Sequence, residues 1–339
     1  MSRIALLTAP NTIEMRDWER QKLEPQEVVV AVNNVGICGT DLAIFSGDYQ
    51  VPLPLVLGHE FAGTVIAVGK EADDKWIGKR VTAEINNTCI SYKHHLLCHA
   101  CTYGLPNHCQ TRTVTGIIEQ NGAFAEEVIV PAGNLHLIPD TLDSLTAVLT
   151  EPLAAALQTF VMTPVTGKET VAVLGAGRLG ILIIFVAALK GLNVIAISRS
   201  IAKRERARQY GASEAFSPDN AEFEVKECTN GVGADIVVDA TGSPEGFEQA
   251  LSLVRPQGVI SVKTTCGLPT QGLDMTKLVV DEICVQGSRC GPFQPALEIL
   301  DKHQDQLQAL ITSIRPLEEA QSALKSAFTE DKVVLQMSQ

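Results

Sequence analysis

Positive charge is scarce in this chain: 27 Lys and Arg stand against 39 Asp and Glu, a formal net charge of −12. Nucleic-acid domains carry a basic stripe, so nucleic acid is not an expected partner. The start of the chain also lacks an uninterrupted apolar stretch, because charges break MSRIALLTAPNTIEMRDWERQKLEPQEVVV early. That is not the pattern of a secretory signal, and a cytoplasmic location is expected. One apolar run, residues 171–189, has about the length a bilayer needs. Gly-Ala-Gly-Arg interrupts it, however, and a buried strand, a glycine turn and a buried helix account for the same letters. No membrane partner is expected. Internal repeats, low-complexity segments and long flexible linkers are absent as well. Extensive disorder is excluded by the 45% hydrophobic content, and 339 residues suit two domains of about 100–200 residues each.

Nine cysteines are present. In a reducing compartment they read as thiols, thiolate ligands or small buried hydrophobes rather than as a disulfide framework. Cys89, Cys98, Cys101 and Cys109 crowd together, while Cys38 stands alone before Gly39-Thr40-Asp41.

The first 145 residues contain short strand-like runs at 27–35, 63–69 and 124–131, separated by turn signals. An Ala- and Leu-rich segment at 144–160 then predicts helix with a break at Pro152. From 171 onward strands alternate with helices: strands at 171–176, 194–198, 234–241 and 258–262, helices at 178–190, about 201–210 and about 244–254. This rhythm predicts an α/β fold with a doubly wound parallel sheet. A helix near 294–312 and a strand at 332–337 are expected to pack back onto the first half. The expected division is 1–148, with a cysteine lobe at about 84–112, then 149–286, then 287–339 returning to the first domain.

Gly175-Ala176-Gly177-Arg178-Leu179-Gly180 follows an apolar strand and opens a helix. The first glycine permits a tight turn, the second lets a pyrophosphate approach the backbone, and the third lets helix and strand pack closely. The helix N-terminus adds phosphate donors, so a dinucleotide is the expected ligand. Thr241, at the end of a later strand, joins the candidate cofactor contacts. The second strand ends in Ile197-Ser198-Arg199-Ser200 with Lys203 and Arg204 beyond, and no carboxylate stands where one would bind the ribose hydroxyls. NADP(H) is therefore expected over NAD(H). The bland reading is that these cations form only a solvated helix face.

A thiolate, an imidazole and carboxylates are available in Cys38 of GICGTD, His59 and Glu60 of GHE, and Glu151 of TEPLAAA. Such groups suit a catalytic zinc that keeps one coordination position open. These segments, the cysteine lobe and VLGAGRLG stand in the order and spacing of the zinc-dependent medium-chain dehydrogenase/reductases, and the chain resembles that family over nearly its whole length. Glu151, where classical alcohol dehydrogenases have a cysteine, makes it most similar to the sorbitol, threonine and sugar dehydrogenase branch. The resemblance implies a GroES-like β-rich catalytic domain and a Rossmann coenzyme domain. It implies that Cys38 and His59 are fixed ligands of a catalytic zinc and that Glu60 and Glu151 share the carboxylate role. It also implies a homodimer or homotetramer.

In the same terms Thr40 bonds the substrate oxygen and starts a proton relay; a helix N-cap is its alternative role. Many relatives continue the relay with a histidine three residues on, where this chain has Ala43. Cys98, Cys101 and Cys109 have the gaps of the family's structural zinc loop, with Cys89 or His95 as the fourth ligand and an insertion within ISYKHHLL. The substrate pocket is expected near Phe45 and Tyr49, and Arg289 either meets an anionic or polyhydroxylated substrate or makes a surface contact. The expected activity is hydride transfer between the nicotinamide cofactor and a secondary alcohol, polyol or sugar, or its ketone or aldehyde. An aldehyde reductase of the cinnamyl alcohol type and a non-catalytic NADPH sensor are the alternatives.

Overall fold

The computed structural model describes residues 2–263 and 273–338. They fall into two compact units, Met1–Glu151 with Phe293–Gln339, and Pro152–Pro292.

In the first unit the run EVVVAVNNVG forms the strand Glu27–Gly36. Its valines alternate between the two faces, and Val28, Val29 and Val30 are all fully buried, so both faces are covered there. One edge pairs antiparallel with Glu60–Val68. The other pairs with Glu127–Pro131 at its start and with Val333–Gln336 at its end. This register sets Gly36 opposite Glu60 on one side and Val334 on the other. Past Gly36 the chain turns into the helix Gly39–Ser46, which Cys38 caps and which ends at Gly47 in the left-handed conformation, φ +90°. The cysteine lobe carries a small sheet of its own, made by Asn86–Asn87, Thr113–Thr115 and Glu119–Gln120.

The predicted helix at 144–160 does break, but not at the proline. It forms Ser144–Ala147 and Thr150–Met162. Pro152 sits in the first turn of the second helix, where a missing N–H forfeits no hydrogen bond. The helix expected at 294–312 is likewise two, Phe293–Lys302 and Gln304–Gln308.

Among the described residues, the second unit is built on a six-stranded parallel sheet in the order Glu214–Phe216, Asn193–Ile197, Thr170–Leu174, Ala234–Asp239, Val254–Val262, Cys284–Gly287. Strand order reverses beside Thr170–Leu174, and in open α/β sheets the crevice at such a point, outside the carboxyl ends of the strands, is where ligands bind. Residues 171–189 are the strand, glycine turn and helix Arg178–Leu189 that their composition predicts. No helix among the described residues is long and apolar enough to cross a membrane.

Candidate zinc sites and dinucleotide site

Cys38 stands where strand 27–36 passes into helix 39–46, and His59 and Glu60 stand at the start of the neighbouring strand. One ligand atom from each of the three lies within 4.8 Å of the others. Gly58 makes the approach to His59 at φ +93°; a Cβ there would lie 2.4 Å from the Phe124 ring, so only glycine fits.

Behind these residues lies Asp41, fully buried. Its Oδ2 accepts a hydrogen bond from the Cys38 N–H at 2.8 Å, and its Oδ1 accepts one from Gly58 N–H at 3.2 Å. The same Oδ1 lies 3.3 Å from His59 Nδ1, an ion-pair approach rather than an aligned hydrogen bond. Burial opposes a charge on His59, but the Asp41 carboxylate and the Cys38 sulfur outweigh it and raise its pKa well above the ordinary value. On the other flank Glu60 Oε2 pairs with the buried Lys332 ammonium, which also donates to the Ile37 carbonyl at 3.4 Å.

Glu151 is buried in the first turn of helix 150–162 and lies outside this group. Thr40 lies half-buried in the first turn of helix 39–46, whose cap is Cys38, so the N-cap alternative for Thr40 does not hold. Phe45 is fully buried in the core, unlike a pocket wall, whereas Tyr49 is exposed.

In the lobe, one sulfur each from Cys89, Cys98, Cys101 and Cys109 lies within 4.8 Å of the rest. His95 is exposed and outside the group, which Cys89 joins. The backbone is arranged for thiolates: Cys89 N–H donates to the Cys109 sulfur at 3.5 Å, Cys98 N–H to the Cys89 sulfur at 3.5 Å, and Gln110 N–H to the Cys98 sulfur at 3.4 Å. Burial disfavours the Cys109 thiolate, yet the donors from Cys89 and Thr111 prevail and lower its pKa to about 6. His94, His99 and His108 are exposed.

The glycine turn meets the requirements of a pyrophosphate cradle. Gly175 has φ +90°, and a Cβ would lie 2.6 Å from the Ala240 carbonyl. At Gly180 a Cβ would collide with the Gly175 carbonyl at 1.7 Å, while around Gly177 nothing lies within 4 Å. Gly177 caps the helix that Arg178, Leu179 and Gly180 begin. Asp239 Oδ1 accepts from the N–H and hydroxyl of Thr241 at 3.0 and 2.7 Å, fixing the end of the adjacent strand. Ser198 is buried and Arg199 exposed at the end of strand 193–197, and Lys203 lies in the first turn of the next helix. Arg204 donates to the Ser198 and Arg199 carbonyls at 2.7 and 3.0 Å, so this cation braces the turn.

The alcohol dehydrogenase GroES-like domain model matches residues 24–140, and the zinc-binding dehydrogenase model matches residues 179–302. The sorbitol dehydrogenase of Halalkalibacterium halodurans is 30% identical over 91% of this chain and 92% of its own length. This chain belongs to the zinc-dependent medium-chain alcohol dehydrogenases. Among solved structures, a zinc-binding dehydrogenase from Sinorhizobium meliloti bound to NADP superposes with a TM-score of 0.88 at 28% identity, covering 99% of both chains. An alcohol dehydrogenase from Escherichia coli complexed with NADH superposes at 0.89 with 27% identity and the same coverage. The dehydrogenase is thus an oxidoreductase that combines a GroES-like unit with a Rossmann unit. Two residues of its site escaped sequence reasoning. Asp41 was visible within GICGTD but drew no role, and Lys332 gave no local signal at all.

Proposed function

We propose that this dehydrogenase transfers hydride between NADP(H) and a secondary alcohol, polyol or sugar, or the matching ketone or aldehyde. The observation that carries the reading is the convergence of Cys38, His59 and Glu60 with a buried Asp41 behind them. Three protein donors suit a catalytic zinc with an open position, and four thiolates suit a closed structural one. Zinc, when bound, supplies Lewis acidity toward the substrate oxygen. Cys38, His59 and Glu60 hold that ion, and Glu151 stands outside the ligand set as a more distant carboxylate. Asp41 fixes the His59 ring and leaves Nε2 for the metal. Thr40 bonds the substrate oxygen and starts a proton relay in which it passes on its own hydroxyl proton as it accepts the substrate's, and Ala43, three residues on, means that the relay continues to solvent without a histidine. Cys89, Cys98, Cys101 and Cys109 hold the structural ion.

Gly175, Gly177, Arg178, Leu179 and Gly180 bind the pyrophosphate, with Thr241 beside them. NADP(H) preference is supported by the absence of a carboxylate at 197–200 and by the exposed Arg199 with Lys203 on the following helix. The polyol class is supported by the likeness to a sorbitol dehydrogenase. Ser198-Arg199-Ser200 favours a second reading, an NADPH-dependent aldehyde reductase of the cinnamyl alcohol type, against which Glu151 stands. We place the protein in the cytoplasm as a homo-oligomer. The edge strand Cys284–Gly287, with Val285 exposed, and the exposed Val279 and Val280 of the helix Met275–Val280 support pairing with a second copy.

Cys38→Ser tests the reaction: turnover of polyols and ketones falls at least about a thousandfold if zinc activates the oxygen, while NADPH titration is unchanged. Undiminished turnover would refute it.

A further inference from the structure

A buried lysine reaches the candidate zinc ligands from the far end of the chain, across a gap the fold keeps open for it. Lys332 precedes strand 333–336, and Glu60 begins strand 60–68; strand 27–36 lies between them. Lys332 and Glu60 meet over Gly36. A Cβ at position 36 would stand 2.5 Å from Glu60 Oε2, 2.9 Å from Lys332 Cε and 3.0 Å from Lys332 Nζ. Gly36 has no left-handed backbone to explain it, so what its hydrogen side chain provides is the passage for this pair. Both partners are almost wholly buried. Such a pair contributes little net stability compared with apolar packing, so its position beside Cys38 and His59 points to a role at the metal.

We infer that Lys332 is a positioning residue that limits Glu60 to one oxygen for the metal. Oε2 is held by the ammonium, which leaves Oε1 as the only carboxylate oxygen that can turn to an ion without breaking the pair. A carboxylate restricted in this way leaves the site with three protein donors and one open position for substrate. Without the ammonium, both oxygens of a buried carboxylate would seek the cation, and the second oxygen would add a fifth donor that crowds the substrate position. The inference rests on the reading of Cys38, His59 and Glu60 as ligands.

The test uses the holoenzyme with cobalt in the catalytic site, comparing wild type, Lys332→Met, Glu60→Gln and the double variant. Lys332→Met is expected to weaken the visible d–d bands, as four-coordinate cobalt becomes five-coordinate, and to slow metal release to a chelator about tenfold. Glu60→Gln should change the bands in its own way, and adding Lys332→Met to it should change nothing further. The double variant removes both buried charges, so it keeps the comparison alive if the single lysine variant does not fold; a spectrum differing from that of Glu60→Gln would then overturn the inference. Unaltered bands and release in Lys332→Met, with Glu60→Gln still altering the spectrum, would refute the role of Lys332 alone. Unaltered bands in both would refute Glu60 as a ligand and the inference with it.

Discussion

Asp41 Oδ1 lies 3.3 Å from His59 Nδ1 while the same carboxylate accepts bonds from the backbone of Cys38 and Gly58. One buried acid therefore ties together the loop that carries the thiolate and the loop that carries the imidazole. A carboxylate behind a metal-binding histidine orients the ring and raises its basicity, and its loss typically costs about 10–100-fold in metal affinity.

Asp41→Asn keeps the shape but removes the charge. We expect catalytic-site zinc affinity to fall about 10–100-fold, read by competition with a chelating dye, while the lobe's metal is retained. Equal affinity in the variant would mean that Asp41 serves only the backbone turn.

The four-sulfur cluster of the lobe includes Cys89 and not His95, and the proposed fourth donor is therefore Cys89. Cys89→Ser should release one equivalent of zinc per chain, and His95→Ala should release none. The reverse result would restore His95.

Arg199 carries the proposed preference for NADP(H). A charge-assisted hydrogen bond contributes about 1.5–3 kcal/mol, so Arg199→Ala should weaken NADPH binding about 10–100-fold and NADH binding by less than about twofold. Parallel losses in fluorescence titrations of both cofactors would refute 2′-phosphate recognition.

A surface turn provides a pH test of stability. Burial opposes ionisation of Glu169, but bonds of 2.8–3.0 Å from the N–H groups of Thr166, Gly167 and Lys168 and from the Thr166 hydroxyl prevail, and its pKa falls to about 2. A lowered folded pKa adds stability above the unfolded value near 4.5, and that stability is lost as pH falls toward 2. After solvent screening the contribution is about 1 kcal/mol. Glu169→Gln should be less stable by that amount at pH 7 in urea titrations, with the gap narrowing below pH 4.5. A gap independent of pH would contradict the assignment.

Much of this was legible because it is local. The glycine turn, the strand before it and the helix after it are contiguous, and each glycine answers a steric demand that the structure reproduces at Gly175 and Gly180. Cys98, Cys101 and Cys109 likewise lie within one loop. Counting could not choose between Cys89 and His95, because an insertion shifts the count without showing which side chain turns inward. The helix break was expected at Pro152 but falls before Thr150, because proline is tolerated in a first helical turn. Phe45 was assigned to a pocket, yet packing buries it fully. Lys332 was out of reach for another reason: sheet register alone brings it to Glu60 across Gly36.

The most direct test of the central claim, that Cys38, His59 and Glu60 hold a catalytic zinc apart from the lobe, is zinc per chain in wild type and Cys38→Ser, purified without chelators. The account predicts two equivalents in the wild type and one in the variant, with NADPH binding intact in both. Two equivalents retained in the variant, or no zinc in the wild type, would contradict it.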